Sequence, residues 1–542
     1  MNKVLKLKIG DYIKSAAKRE PEKIGLITEK VRYTYKEMFG YCNSLANGLI
    51  KLKVKKGDRV ALLLRNGSTI VLSYFGIPRM GAIAVPLNYK MSKDELTYVL
   101  NDCTPKILIY GEEYADYIDY FKDKCKSINH YISPDEFEMT IREYSKEGPF
   151  DLDGNKIKIR DTDTLYIMYT GGTTGFPKGV MLSHKNITST MTSSLVRMMQ
   201  ESLNYSEEKK AKQFERMQER KAIIMTDLPI FHAAAMYLVL LAVNGQITLI
   251  THKNFDPIQT YKEIEKEKVT ILQLVPTMLI RVIDKHDPKY NISSLEMIMY
   301  GAAAIDPTTL QKALDIFKGV EFQQVFGMTE TAVPVTTLTS EDHELIRDKK
   351  TNYLLRSAGK PVYGVEIKIV DLDRKELPIG EVGEIAARGG GVMQGYWNLE
   401  EKTKAVIDSD GWYYTGDMGK IDKDGYLYVV DRLKDMIVSG GENIFPAEVE
   451  NALYSHPAVS ICAVVGAPDE VWQEKVVACV VLKKGFQVTD EELIQHCKEK
   501  IARYKAPKEI IFRKSLPMSP QGKILKRKLR EQFWKGKERK IV

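Results

Sequence analysis

Across residues 1–431, short β-branched runs alternate with stretches whose apolar positions repeat at helical spacing. DRVALLLRN (58–66) and GAIAVPLN (81–88) flank the helix-like STIVLSYFGIPRM (68–80). AIIMTDLP (222–229), QITLITH (246–252) and VTILQLVP (269–276) read as further strands. Strand–helix–strand alternation predicts an α/β fold with largely parallel sheets. From Gly359 the texture changes: VEIKIVD, GEIAARG and GYLYVVD are short runs between Gly and Asp turns, which predicts a β-rich subdomain over about 359–430. After DRLKD (431–435) it changes again. AEVENALYSHP reads as helix, AVSICAVVGAPDE and EKVVACVVLKKG as strands, and EELIQHCKEKIARY as helix. The expected organisation is a large N-terminal domain over 1–431, a joint at 431–435 and a small α+β C-terminal domain over 435–542. The charged run ESLNYSEEKKAKQFERMQERK (201–221) reads as a solvated helix, with a ligand-closing lid as the alternative.

Composition narrows the class without naming it. A chain of 542 residues is too long for one ordinary core. Apolar residues make up 44% and charged residues 28%, the balance of a soluble globular protein. The six Cys form no CxxC pair and the eight His no HxxxH pair, so neither a zinc site nor a disulfide framework is indicated. The formal charge of +8, from 80 basic and 72 acidic residues, is a mild bias compatible with polyanionic small molecules. It lacks the concentrated basic face of a nucleic-acid binder. The N-terminal MNKVLKLKIGDYIKSAAKRE is interrupted by charge and is no signal peptide. The apolar run Ala233 to Val243 is shorter than the roughly 18 residues of a membrane span. A cytoplasmic protein is expected, as monomer or homodimer, with peripheral membrane contact left open.

The stretch YIMYTGGTTGFPKGVMLSH (166–184) carries the first chemistry. Backbone amides of a Gly-rich turn can converge on phosphate oxygens, because Gly tolerates positive φ and close approach. Thr170, Thr173 and Thr174 add hydroxyls and Lys178 adds a point charge. The nucleotide loop GxxxxGK[ST] does not fit, because Pro177 precedes the Lys and Gly179 follows it. A different phosphate cradle is indicated, with a plain flexible turn as the alternative.

LPIFH (228–232), YGAAAI (300–305), QVFGMTE (324–330), YYTGDMG (413–419), DRLKDMIVSGGENIFPAEVE (431–450) and PQGKILKR (520–527) follow in that order. With the Gly/Thr loop, this series resembles the adenylate-forming superfamily over essentially the whole chain. QVFGMTE and SGGENIFPAEVE look most like acyl- or aryl-CoA ligases. The resemblance implies a two-step reaction in which a carboxylate attacks the α-phosphate of ATP, and the thiol of coenzyme A then displaces AMP. It implies Mg2+, with ATP and coenzyme A as co-substrates, and a C-terminal domain that swings about Lys434.

By the same resemblance, Thr170, Gly171, Gly172, Thr173, Thr174, Gly175 and Lys178 wrap the β- and γ-phosphates. Gly171 stands where the family usually has Ser, which removes one hydroxyl donor. Glu330 would hold magnesium and Thr329 a phosphate; a surface carboxylate is the bland alternative for Glu330. Gly301, Ala302 and Ala303 leave room for adenine, Phe326 supplies a stacking face, and Gln324 and Gly327 belong to the same nucleotide wall. Asp417 and Arg432 would bind the ribose hydroxyls. Lys523 would stabilise charge gathering on the transferring phosphoryl group; a solvated basic tail is its alternative. Gly440, Gly441 and Glu442 would line the coenzyme A passage. Lys505 and Lys508 either meet coenzyme A phosphates or belong to a solvated surface. His232 would gate the acyl pocket or be a satisfied, partly buried His, and Met236, Val325 and Met328 would line that pocket. The apolar run after His232 is either pocket wall or ordinary core, and it offers no Asp for an amino-acid substrate.

Val325 stands where many aryl and long-chain relatives carry Gly, which favours a slim aliphatic acid. The leading expectation is therefore an acyl-CoA synthetase for a medium- or long-chain aliphatic acid. An aryl-CoA ligase, an enzyme loading a carrier protein, and a non-catalytic sensor or scaffold stand as alternatives.

Overall fold

The computed structural model describes residues 8–142, 156–170, 177–203, 222–348, 351–440, 442–518 and 524–535. The chain forms two compact units. One comprises Met1–Leu355, Gly359–Glu366 and Ala387–Tyr413; the other comprises Arg356–Ala358, Ile367–Ala386 and Tyr414–Val542. The second unit thus takes in about half of the β-rich stretch, 367–386 and 414–430, together with the C-terminal module.

The first unit contains a nine-stranded and a seven-stranded sheet. In the nine-stranded sheet the strands Glu321–Met328, Met297–Gly301, Ile271–Leu274, Ile223–Thr226, Thr248–Ile250 and Ile24–Ile27 lie side by side and parallel. Antiparallel ladders close both edges. In the seven-stranded sheet Thr164–Thr170, Ile83–Pro86, Arg59–Leu63, Ile107–Tyr110 and His130–Ile132 are parallel, and Lys178–Ser183 and Gly395–Tyr396 are added antiparallel at one edge. Every run read as a strand from 58 to 276 is one, and the run between the first two is the helix Ser68–Arg79. The strands read as nearly continuous apolar runs because parallel sheets are covered on both faces.

Local chemistry fixes the helix ends. Ser92 with Glu95 caps Lys93–Cys103, Thr34 with Glu37 caps Tyr35–Lys51, and Thr339 with Asp342 caps Ser340–Arg347; each pair satisfies two otherwise orphaned amides. The helix Ala233–Asn244 has no polar face and buries most of its length, as a helix enclosed on all sides must. The charged run that begins at Glu201 lies largely outside the described residues.

A four-stranded sheet, most of whose residues belong to the second unit, joins Val365–Val370, Gly383–Gly389, Tyr413–Ile421 and Leu427–Arg432. A five-stranded sheet is built on the hairpin Val459–Asp469 and Gln473–Leu482. Alternate residues of that hairpin enter two separate cores. Val464, Val476, Ala478 and Val480 meet Val449, Leu453 and Leu493, while Ala463, Val465, Val477 and Cys479 meet Leu516 and Leu529.

All six cysteines are buried free thiols; burial pushes Cys42 up to about 12 and Cys125 and Cys497 up to about 11, so they act as small apolar residues. Among the described residues no helix is long and apolar enough to cross a membrane.

Phe322 is fully buried among Tyr300, Phe317 and His343, with ring centroids 6.1 to 6.5 Å away. Phe322→Ala should cost about 3–5 kcal/mol. The check is urea unfolding, with a lower midpoint expected at unchanged slope.

Candidate active site

In the first unit, Thr170 and Lys178 face each other across the antiparallel ladder of Thr164–Thr170 and Lys178–Ser183. Gly171, Gly172, Thr173, Thr174 and Gly175 lie outside the described residues. Gly179 has a packing reason to follow the Lys. A Cβ there would lie 2.7 Å from Ile167 Cγ2 and 3.2 Å from Trp397 Cβ. The Trp397 amide donates to the Gly179 carbonyl at 2.7 Å, and Tyr396 pairs with Val180. Lys178 Nζ consequently sits 4.8 Å from the centre of the Tyr396 ring. Burial and then Lys402 pull the Lys178 pKa down, and Glu330 opposes them.

Glu330 lies on the short turn Thr329–Thr331, at the end of Glu321–Met328. The strand reverses there because Gly327 lets the chain fold onto itself; a Cβ at 327 would lie 1.7 Å from the Val333 carbonyl oxygen. The turn is clamped from the other sheet's edge segment. The Met393 amide donates to the Glu330 carbonyl at 2.8 Å, and Gly391 approaches the Thr331 carbonyl so closely that a Cβ would lie 2.5 Å away. Asn186 Nδ2 holds the same segment by donating to the Gly390 and Val392 carbonyls. Tyr396 Oη donates to Glu330 Oε1 at 3.3 Å. Glu330 is half-buried beside Lys178 and Tyr396 rather than lying on an open surface. Among the described residues no group of three or more metal-ligating side chains occurs. One hard carboxylate suits magnesium, which takes one or two carboxylates and fills its shell with water and substrate phosphates.

Gly301 pairs with Val325, and a Cβ at 301 would lie 2.2 Å from the Val325 carbonyl oxygen. The close approach of two parallel strands therefore demands Gly there, independently of any ligand. Ala302 adopts φ +64° and is exposed, with Ala303 half-buried beside it. Gln324, Val325, Phe326 and Met328 are all half-buried along one strand. Gln324 Oε1 is buried with no hydrogen-bond partner among the described residues. His232 is half-buried at the N-terminus of Ala233–Asn244, its ring 4.2 Å from that of Phe231, and Met236 is fully buried one turn on. The LPIFH loop is fixed by Asn66, whose Nδ2 donates to the Leu228 carbonyl and whose Oδ1 accepts from the Ile230 amide, each at 2.8 Å.

In the second unit, Asp417 and Arg432 are cross-strand partners, and Arg432 Nε lies 2.9 Å from Asp417 Oδ1. Asp417 is buried while the Arg432 side chain keeps 53% of its exposure. Lys434 follows on the turn Leu433–Asp435; burial, then Arg432, lowers its pKa to about 8. Arg530 ties this turn to the last helix through Asp435 at 2.7 Å. Lys505 is half-buried in an ion pair with Glu448 at 2.7 Å, whereas Lys508 is exposed 5.9 Å from the Trp472 ring centre. Gly440 adopts φ +61° against Trp472, where a Cβ would lie 2.6 Å from the ring. Glu442 is exposed and pairs with Ser439. Gly441 and Lys523 lie outside the described residues; Met518 and Ile524, flanking the latter, form an antiparallel bridge.

Tyr396 and Asn66 are absent from the sequence-derived residue set. The glycine-rich GGGVMQGYW before Tyr396 is the signal that could have found it; Asn66 has none beyond a polar residue after a strand.

The family model for AMP-binding enzymes matches residues 13–397, and that for the AMP-binding enzyme C-terminal domain matches residues 448–523. The chain belongs to the AMP-binding enzyme family. The long-chain-fatty-acid–CoA ligase FadD13 of Mycobacterium tuberculosis is 34% identical over 93% of each chain. A feruloyl-CoA synthase of Amycolatopsis sp. is 34% identical over 97% of this chain and 99% of that protein. The structure of o-succinylbenzoate coenzyme A synthetase from Bacillus subtilis in complex with ATP and magnesium ion superposes with TM-score 0.79, at 31% identity over 96% of this chain and 99% of that one. Within the family the chain sits in the acyl-CoA synthetase branch, and it is an AMP-forming acid–thiol ligase.

The lowered pKa of Lys434 has a pH consequence. Between pH 8 and the ordinary lysine range near 10, the unfolded chain keeps a proton that the buried amine has released, so stability rises with pH across that window. Thermal unfolding followed from pH 7 to 10 should show this rise, and Lys434→Met should remove it.

Proposed function

We propose that the enzyme activates a medium- or long-chain aliphatic carboxylic acid and transfers it to coenzyme A. The observation that carries this reading is the convergence of Lys178 and Glu330 about Tyr396, a cation at the start of one strand and a hard carboxylate on the turn that ends another, both half-buried. In the first step a carboxylate oxygen bonds the α-phosphorus of ATP as the bond to the β-phosphate oxygen breaks, and pyrophosphate leaves. In the second, the coenzyme A thiol gives up its proton and bonds the acyl carbonyl carbon, and AMP leaves.

Lys178 and Thr170, with Thr329, hold the phosphates, and Lys523 faces the charge that gathers at the α-phosphorus. Glu330 would hold magnesium, which supplies neutralising charge for the pyrophosphate. Asp417, paired with Arg432, accepts from the ribose hydroxyls while Arg432 donates. The domains inferred over 1–431 and 435–542 exchange poses about Lys434, so that Gly440 and Gly441 replace Lys523 at the carbonyl. Lys505, already neutralised by Glu448, is a weaker candidate for coenzyme A phosphates than exposed Lys508. For the acid, the apolar helix behind His232 and the β-branched Val325 support a slim aliphatic chain, although the relatives include both fatty-acid and feruloyl ligases.

The test is one mass-spectrometric assay with magnesium, ATP, coenzyme A and a mixed panel of aliphatic, aryl and amino acids. Aliphatic acyl-CoA is the expected product, and Val325→Gly should raise the share of aryl product. Acyl-AMP alone would point to a carrier protein as acceptor, and no product with any acid would favour a scaffold.

Lys523→Ala should slow adenylate formation on the order of 10²-fold or more while sparing thioester formation from supplied acyl-AMP. Single-turnover kinetics of each half-reaction separates the two, and equal losses would refute the assigned role.

A further inference from the structure

Tyr396 touches both charged groups of the phosphate end without itself being charged. Its ring carries the Lys178 ammonium at 4.8 Å, and its hydroxyl donates to Glu330 Oε1 at 3.3 Å. The side chain is buried, with 6% exposure, and its backbone is fixed on both sides. The Tyr396 amide donates to Thr403 Oγ1 at 2.9 Å, and the strand Gly395–Tyr396 pairs with Met181 and Val180. A tyrosine hydroxyl keeps its proton at neutral pH, so toward a carboxylate it can only donate. Lys178 and Glu330 have opposite charges and come from different sheets. Left to meet, a lysine and a glutamate form an ion pair that occupies both; a ring face under the ammonium and a hydroxyl on the carboxylate give each a separate partner.

We infer that Tyr396 is a positioning residue for nucleotide binding, which seats Lys178 for the terminal phosphates through its ring and aims Glu330 at the metal through its hydroxyl. The inference rests on the reading of Lys178 and Glu330 given above. It makes the two functions of one side chain separable. The ring governs the part of ATP affinity that needs no metal, and the hydroxyl governs the increment that the metal adds.

The experiment is equilibrium calorimetric binding of α,β-methylene-ATP, which cannot be adenylated, to the full-length protein with and without magnesium. Tyr396→Phe keeps the ring. Its metal-free Kd should stay within about twofold of the unaltered protein, while its Kd in magnesium rises about 10-fold, the loss expected for a hydrogen bond to a charged group. Tyr396→Leu removes the ring as well, and its metal-free Kd should rise roughly threefold or more. Thermal unfolding of both variants accompanies the titrations; should the Leu variant fail to fold, the Phe variant decides alone. An unchanged magnesium increment in Tyr396→Phe would overturn the inference, as would equal weakening with and without metal, which marks a packing role. If the unaltered protein binds no analogue under either condition, the underlying assignment of Lys178 and Glu330 falls and the inference with it. If the unaltered protein binds with a magnesium increment and Tyr396→Phe keeps that increment, the inference about Tyr396 falls while the assignment of Lys178 and Glu330 stands.

Discussion

Two residues of backbone pairing hold Lys178 and Glu330 of the first unit together. Gly395 and Tyr396 add a last, very short strand to the edge of the seven-stranded sheet, beside the strand that begins at Lys178. The same segment, a few residues earlier, donates from the Met393 amide to the turn that ends a strand of the nine-stranded sheet. Lys178 and Glu330 belong to different sheets, and this strap fixes the distance between them. Loss of its hydrogen bonds would leave Lys178 on its strand and Glu330 on its turn, each without the other.

Close backbone approach is the second constraint, and glycine is its instrument. At Gly301 and Gly327 an added Cβ would lie within about 2 Å of a carbonyl oxygen. Both sit in stretches whose glycines read naturally as room for a nucleotide. The packing requirement falls at the carboxyl end of parallel strands, where open sheets place their ligands. Gly440 differs: its positive φ and the face of Trp472 both exclude a side chain.

The second unit is organised by charge around residues 417–435. Asp417 and Arg432 are register partners on adjacent strands, so the two residues assigned to the ribose also orient each other. Beyond them Asp435 is taken by Arg530, and Lys526 reaches Glu450 at 2.9 Å. Lys526 belongs to the basic run that could pass for a solvated tail, yet its side chain is only 17% exposed and one of the acidic partners it needs lies 76 residues away.

The sequence by itself determined the strand–helix alternation, the β-rich interlude, the α+β module and the family, because each is written in local periodicity or in a contiguous motif. It also marked Lys178, Glu330, Asp417 and Arg432, whose residue types suit polyphosphate, metal and ribose. Tertiary structure decided what those residues touch. Tyr396 lies 66 positions from Glu330, and Lys505 meets Glu448 across 57. No local pattern encodes such contacts, since they arise only when sheet edges and helix faces are brought together by burial of the cores. A hydroxyl, a ring face or a carboxylate acquires its chemical partner at that stage, and residues without a motif, such as Asn66 under the LPIFH loop, acquire their importance only there.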